Sequence, residues 1–119
     1  MNIKETISQY LEALESGDLD QIKTLFSKYA VVHSPLNGKV EARKFYQNLF
    51  DKTKESKINL LNIFESESNT DTGAGHFLYE WRLKDGKKAC FECVDIFRFS
   101  ADGEIKELRI IYDTSEMFE

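Results

Sequence analysis

The stretch Cys93-Val94-Asp95-Ile96-Phe97-Arg98-Phe99 has the alternation of a strand with one buried face, and it places a single carboxylate in the middle of an apolar pattern. An acidic residue on the inner face of a strand is costly unless it is paired, hydrogen-bonded or kept protonated. Asp95 is therefore either satisfied structurally or used, and it is the first candidate functional residue.

Working outward from Asp95, the period-two pattern extends over Ile58 to Glu67, His76 to Lys84, Lys87 to Phe99 and Glu104 to Tyr112. Asp85-Gly86 is a two-residue hairpin signal, and Asp102-Gly103 marks a second tight turn. The polar run Ser68 to Gly73 reads as a loop. Toward the N-terminus the period becomes helical: Ile3, Ile7, Tyr10, Leu11 and Leu14 form one stripe, which Gly17 closes. Asp18 reads as the N-cap of a second helix carrying Leu19, Ile22, Leu25 and Phe26. A short strand over Ala30 to His33 leads into the turn Ser34-Pro35-Leu36-Asn37-Gly38. A third helix is expected from about Val40 to Asp51, with the mixed charges of Lys52 to Lys57 as its exposed end. Helices followed by an antiparallel meander predict an α+β fold, a curved sheet wrapped around three N-terminal helices.

Composition sets the bounds. A chain of 119 residues, 41% hydrophobic, is expected to form one domain, 1–119, with a single core. Nine Phe and five Tyr exceed what a core alone asks for and suggest a ring-lined cavity or interface. A net charge of −5 without any basic stripe argues against a nucleic-acid partner. No apolar run has the length of a membrane span, and the N-terminus has no apolar leader, so a cytoplasmic protein without a membrane partner is expected. Cys90 and Cys93 form a C-x-x-C on a strand, where residues three apart face opposite ways; they read as small hydrophobes rather than as a redox or zinc pair. No metal or organic cofactor is expected. The runs Glu65-Ser66-Glu67 and Glu116 to Glu119 read as solvated surface and tail.

The element order, together with Tyr10-Leu11-Glu12-Ala13-Leu14, Gly17-Asp18-Leu19-Asp20, the His33-Ser34-Pro35 corner, Phe45-Tyr46, Val94 to Phe99 and Gly103-Glu104-Ile105, resembles the NTF2-like superfamily. Within it the chain is similar to the ketosteroid isomerase and SnoaL-like branch, which implies a cone-shaped fold and a homodimer through the convex sheet face. The resemblance places Tyr10 and Asp95 as an oxyanion hole, with Asp95 kept neutral by an apolar site, and Tyr46 as the hydrogen-bonding support of Tyr10. The branch's usual base, a carboxylate before the proline, is here Ser34, which cannot take a carbon-bound proton near neutral pH without its own base. Ile110 falls where the related limonene epoxide hydrolases carry an aspartate.

If Asp85-Gly86 is a two-residue turn, Asp95 lies across from His76, Cys93 from Leu78, Phe91 from Glu80 and Ala89 from Arg82, and each pair shares a face. The pocket would then hold His76, Glu80 and Arg82 beside Asp95, walled by Phe97, Phe99, Leu108, Ile110 and Tyr112. Phe77, Tyr79, Trp81 and Leu83 would form the convex face; a bulged turn would exchange the two sets. On the two-residue register, Glu80 or His76 becomes the relocated base, although Glu80 and Arg82 also suit a surface ion pair. His33 should point away from the pocket, and Asp113 should be outward or capping.

The reading is a ketosteroid-isomerase-like or SnoaL-like protein that binds a small apolar carbonyl or phenol compound. The catalytic set would be Tyr10, Asp95, Glu80 and His76, and Ser34, Tyr46, Phe97, Phe99, Leu108, Ile110 and Tyr112 would contact the ligand. The alternatives are a carrier or sensor that has lost the base, and an interaction module whose cone is filled by its own side chains.

Overall fold

The structure, a computed structural model, describes residues 2–116, with the side chains of 2–115. The acidic tail at 116–119 lies outside those side chains. Helix α1 (Ile3–Ser16) begins where the Asn2 side chain accepts the Glu5 N–H at 3.0 Å and ends at Gly17. Its stripe of Ile3, Ile7, Tyr10, Leu11 and Leu14 is buried. Asp18 caps α2 (Leu19–Leu25) by accepting the Gln21 N–H at 3.0 Å. Phe26 does not belong to that helix. It opens β1 (Phe26–Ser34), which turns into β2 (Gly38–Glu41).

Helix α3 (Ala42–Lys52) therefore starts two residues later than its apolar pattern suggests, because Val40 pairs with Val32 in the β1–β2 hairpin. Strand β3 (Thr53–Glu65) follows α3 directly, so the charged run after Lys52 is strand rather than helix end. It occupies a sheet edge, and its face pattern is blurred by a bulge between Leu60 and Asn62. Strands β4 (Thr72–Leu83), β5 (Lys88–Phe99) and β6 (Ile105–Ile111) complete the meander.

The sheet order is β2-β1-β6-β5-β4-β3. Every neighbouring pair is antiparallel except β1 with β6, which run parallel, so the sheet is mixed where an all-antiparallel one was expected. The parallel pair arises because α3 carries the chain from β2 to the far edge and the meander returns to β1 from the other side. The α+β plan of three helices and a curved sheet stands as read, and the sheet has a sixth strand, β2, that the sequence reading did not include.

The β4–β5 turn differs from expectation in a way that matters for the site. Leu83 N–H donates to the Lys87 carbonyl at 2.9 Å, and Gly86 N–H donates to the Leu83 carbonyl at 3.1 Å. The loop thus holds three residues, Lys84-Asp85-Gly86, and Gly86 takes the left-handed backbone (φ 96°) that such a loop needs at its third position. The register shifts by one: Gly75 pairs with Asp95, Phe77 with Cys93, Tyr79 with Phe91 and Trp81 with Ala89. Gly73, Gly75, Phe77, Tyr79, Trp81 and Leu83 are all buried, and they share the inner face with Asp95. His76, Glu80 and Arg82 lie on the outer face instead, which corrects the two-residue register.

Small residues let α1 settle on one end of β4. A Cβ at Gly73 would lie 2.6 Å from Ile3 Cγ2 and 3.1 Å from the Phe64 carbonyl oxygen; at Gly75 it would lie 3.2 Å from Ile7 Cγ2. Gly73→Ala is expected to cost about 1–3 kcal/mol through overpacking, and Gly75→Ala less. Urea midpoints of the two variants check the order, and equal midpoints would show that α1 does not rest on these positions.

Candidate functional site

Asp95 sits mid-strand in β5 with Gly75 of β4 on one side and Ile110 of β6 on the other. It is 1% exposed, the only buried charged residue type among the described residues. Tyr10 of α1 and Tyr46 of α3 bring their hydroxyls together over the same face and share a hydrogen bond. In a pair of neutral phenols one O–H bridges the two oxygens and the other remains free to donate elsewhere. Phe26 and Phe97 meet the Tyr10 ring edge-on at 5.9 and 5.1 Å, which fixes its tilt.

A cavity of about 140 Å³ opens from this point. That is comparable with the ~150 Å³ spaces that accept one benzene ring. Asp95, Cys93, Tyr10 and Tyr46 lie in its lining together with Phe77, Tyr79, Trp81 and Phe91 from the sheet. Leu14, Phe45 and Leu49 contribute from the helices, and Ile110 and Tyr112 from β6 and the residue beyond it. Ser34, Leu36 and Asn37 of the β1–β2 turn also contribute. Lys52, at the end of α3, is the only cation in the lining; its ammonium lies 5.4 Å from the centre of the Trp81 ring.

The electrostatics follow from burial without a counter-ion. Desolvation pushes the Asp95 carboxyl up from 3.8 to about 7, and the only opposing effect is a hydrogen bond from the Cys93 thiol, which donates to Oδ1 at 3.2 Å. No cation helps to hold Asp95 ionised. Tyr10 and Tyr46 are pushed well above the ordinary phenol range, first by burial and then by repulsion from neighbouring groups that include Asp95. Burial raises Tyr112 to about 12, and it raises the Cys93 thiol together with Asp95. Near neutral pH the site is thus a set of hydroxyl and thiol donors around one acid that titrates.

Tyr10, Asp95, Tyr46, Ser34, Ile110 and Tyr112 meet at the cavity. Phe97, Phe99 and Leu108 do not line it. They are fully buried at its closed end, where Phe97 and Phe99 stack at 6.2 Å. Ser34 Oγ accepts the Asn37 N–H at 3.2 Å and so closes the β1–β2 turn. His76 is on the outer face, bonded to Glu92 and, at 3.1 Å, to Asn62. Glu80 is exposed on that same face and forms no ion pair with Arg82. Neither His76 nor Glu80 can reach a ligand beside Asp95, which corrects their assignment as the relocated base. His33 points outward to Glu107 at 3.1 Å, and Asp113 caps Ser115, both as read from the sequence.

Among the cavity residues that the sequence reading missed are Phe77, Tyr79 and Trp81 of β4. The missed signal was the alternation itself, in which His76, Glu80 and Arg82 are the polar face and Phe77, Tyr79, Trp81 and Leu83 the face to bury. Among the described residues no group of three or more His, Cys, Asp or Glu side chains could hold a metal ion, and no helix is long and apolar enough to cross a membrane.

The buried acid has a consequence for stability. Folded Asp95 keeps its proton up to about pH 7, whereas the unfolded chain releases it near 3.8. The folded state binds the extra proton in that window. The stabilisation is therefore complete below about pH 4 and is lost as pH rises through 7, by up to about 4 kcal/mol. Asp95→Asn removes the titration. Wild type is expected to lose Tm between pH 5 and 8 relative to the variant, and parallel Tm curves would assign the slope to other groups.

Three solved structures share this fold over nearly the whole chain. The epoxide hydrolase/cyclase-like enzyme SalBIII of pyran-ring formation in salinomycin superposes with a TM-score of 0.81 at 17% identity, covering 97% of this chain and 93% of its own. An NTF2-like protein of unknown function from an Exiguobacterium species gives 0.76 at 24% identity, covering 92% and 98%. A protein with a ketosteroid isomerase-like fold from Catenulispora acidiphila, solved with trimethylamine, gives 0.79 at 13% identity, covering 95% and 88%. Likeness at these identities carries the fold alone. The model of the SnoaL-like domain family matches residues 7–108, a span that takes in Tyr10, Tyr46 and Asp95. By that match the chain belongs to the SnoaL-like domain family.

Proposed function

We propose that this chain binds a small, largely apolar molecule that presents one oxygen, as a carbonyl, enol or phenol, to Asp95 and the Tyr10–Tyr46 pair. The observation that carries the reading is a carboxyl with no cation near it, held neutral by burial at the wall of a ring-lined cavity. A neutral acid and a phenol both donate, so together they suit a ligand oxygen that gathers negative charge. Ser34 at the position of the usual base, with His76 and Glu80 on the far face, favours a carrier or sensor over a ketosteroid-type isomerase.

A second reading has its own support. Asp95, pushed to about 7, has the value a single acid–base group needs near neutral pH, so it could itself move a proton on a bound carbonyl compound. Isomerisation or ring-forming chemistry of the kind named for SalBIII falls in that class.

One ligand separates these readings. Trp81 is the single tryptophan of the chain and lines the cavity, so a one-ring aryl ketone such as acetophenone can be followed by its quenching. Saturable quenching is expected, strongest below pH 7 and weaker above it as Asp95 loses the proton it donates. Asp95→Asn, which keeps a neutral donor, should bind without that pH dependence. Asp95→Val and Tyr10→Phe should each weaken binding by ~1–3 kcal/mol through loss of a buried hydrogen bond. Quenching that does not saturate, or that ignores both pH and Asp95→Val, would refute the ligand-binding reading. In D2O, exchange of the ketone's methyl protons that vanishes in Asp95→Asn would identify a proton-transfer catalyst; binding without exchange would identify a carrier.

We also assign a cytoplasmic homodimer, with its contact on the outer sheet face. The register correction brings Leu78 to that face, beside Val94, Ile96 and Ile111, in place of Trp81 and Tyr79. Leu78 and Ile111 are 37% and 46% exposed, more than an isolated surface would gain from. Light scattering should give twice the 13.8 kDa chain mass for wild type and the single mass for Leu78→Glu/Ile111→Glu. A wild-type chain of single mass would rule the dimer out.

A further inference from the structure

Cys93 and Asp95 are two residues apart on β5 and therefore share the inner face. Cys93 is 3% exposed, and its Sγ lies 3.2 Å from Asp95 Oδ1. Among the described residues this is the only hydrogen bond that the Asp95 carboxyl makes. Both side chains border the cavity, and among the described residues no buried side-chain oxygen or nitrogen is left without a partner. With Oδ1 engaged by the thiol, the second oxygen is the one that can carry a proton and present it to the cavity.

We propose that Cys93 is a positioning residue for Asp95: its S–H occupies Oδ1 and leaves the acid proton on the oxygen that faces the cavity. The inference rests on the reading of Asp95 as the ligand's hydrogen-bond donor. The choice of a thiol has a chemical sense. A thiol is a weaker donor than a hydroxyl, so it directs the carboxyl without stabilising the carboxylate strongly. Serine at the same place would favour ionisation, and alanine would leave Oδ1 bare. The other titratable groups close to Asp95 are Tyr10 from α1, Tyr46 from α3, Tyr79 from β4 and Tyr112 after β6, and the Asp95 charge raises each of these phenols. Lys52 stands on the cavity wall. All four phenols stay neutral across the range in which Asp95 titrates.

The test reads Asp95 directly, without ligand. Carboxyl ¹³C NMR on aspartate-labelled protein, with the Asp95 signal identified by its loss in Asp95→Asn, gives the titration midpoint in wild type, Cys93→Ser and Cys93→Ala. The expected order is Cys93→Ala above wild type above Cys93→Ser, with steps of roughly half a pH unit. A merely structural cysteine would lower Tm without ordering the midpoints. Equal midpoints, or a reversed order, would overturn the proposal. If Cys93→Ala fails to fold, the sign of the Cys93→Ser shift alone decides. An ordered NMR series with no ketone binding would support the Cys93 assignment and refute the ligand reading, so the two fail separately.

Discussion

Gly86 N–H closes a three-residue turn onto the Leu83 carbonyl, and the pairing of β4 with β5 runs outward from that bond. Because strand side chains alternate with period two, one residue more or less in this loop would exchange the two faces of β4. The turn as it stands sends Phe77, Tyr79 and Trp81 inward beside Asp95 and sends His76, Glu80 and Arg82 to the outer face. The cavity is consequently apolar, its acid has no cation as neighbour among the described residues, and the outer face carries the hydrogen bonds of His76 with Glu92 and of His33 with Glu107 and the ion pair of Arg98 with Glu107. The chemistry of the site is thus a consequence of loop length.

That arrangement explains why Asp95 is neutral rather than paired. On the two-residue register His76 would have stood directly across from Asp95 on the same face. Here desolvation meets only the thiol of Cys93, and the acid retains its proton to about pH 7. The Tyr10–Tyr46 hydroxyl pair is raised in the same sense, since any negative charge on it would face the same dry surroundings. The donors of the site are held in their donating form by one cause, the exclusion of water.

Much of this was legible in the sequence where local chemistry is strong. Asn2 was not singled out, but Gly17 and Asp18 act as the terminators and caps their residue types suggest, and the stripe of α1 is buried as its spacing implies. Asp95 stood out because a lone carboxylate in an apolar strand has a cost that composition alone reveals. Less visible were the elements whose identity is set by partners. Strand β2 exists because Val40 pairs with Val32, and β1 owes its length to the returning β6. Asp85-Gly86 carries a turn signal for either loop length, and only the bonding of Leu83 with Lys87 and Gly86 separates them. Phe97, Phe99 and Leu108 were placed on the correct face, but depth along that face, which separates wall from core, comes from how the helices lie across the sheet.

The inner face of β4 grades from Gly73 and Gly75 at one end to Phe77, Tyr79 and Trp81 at the other. Helix α1 rests almost on the backbone at the glycine end, through Ile3 and Ile7, while its Tyr10 and Leu14 border open space. The helix behaves as a pitched roof whose slope is set by side-chain size along a single strand. A relative could enlarge or erase the chamber by moving the step from glycine to aromatic two residues along β4, with every backbone hydrogen bond of the sheet left in place. Chamber size in this architecture is therefore adjustable independently of Asp95, which sits on a neighbouring strand.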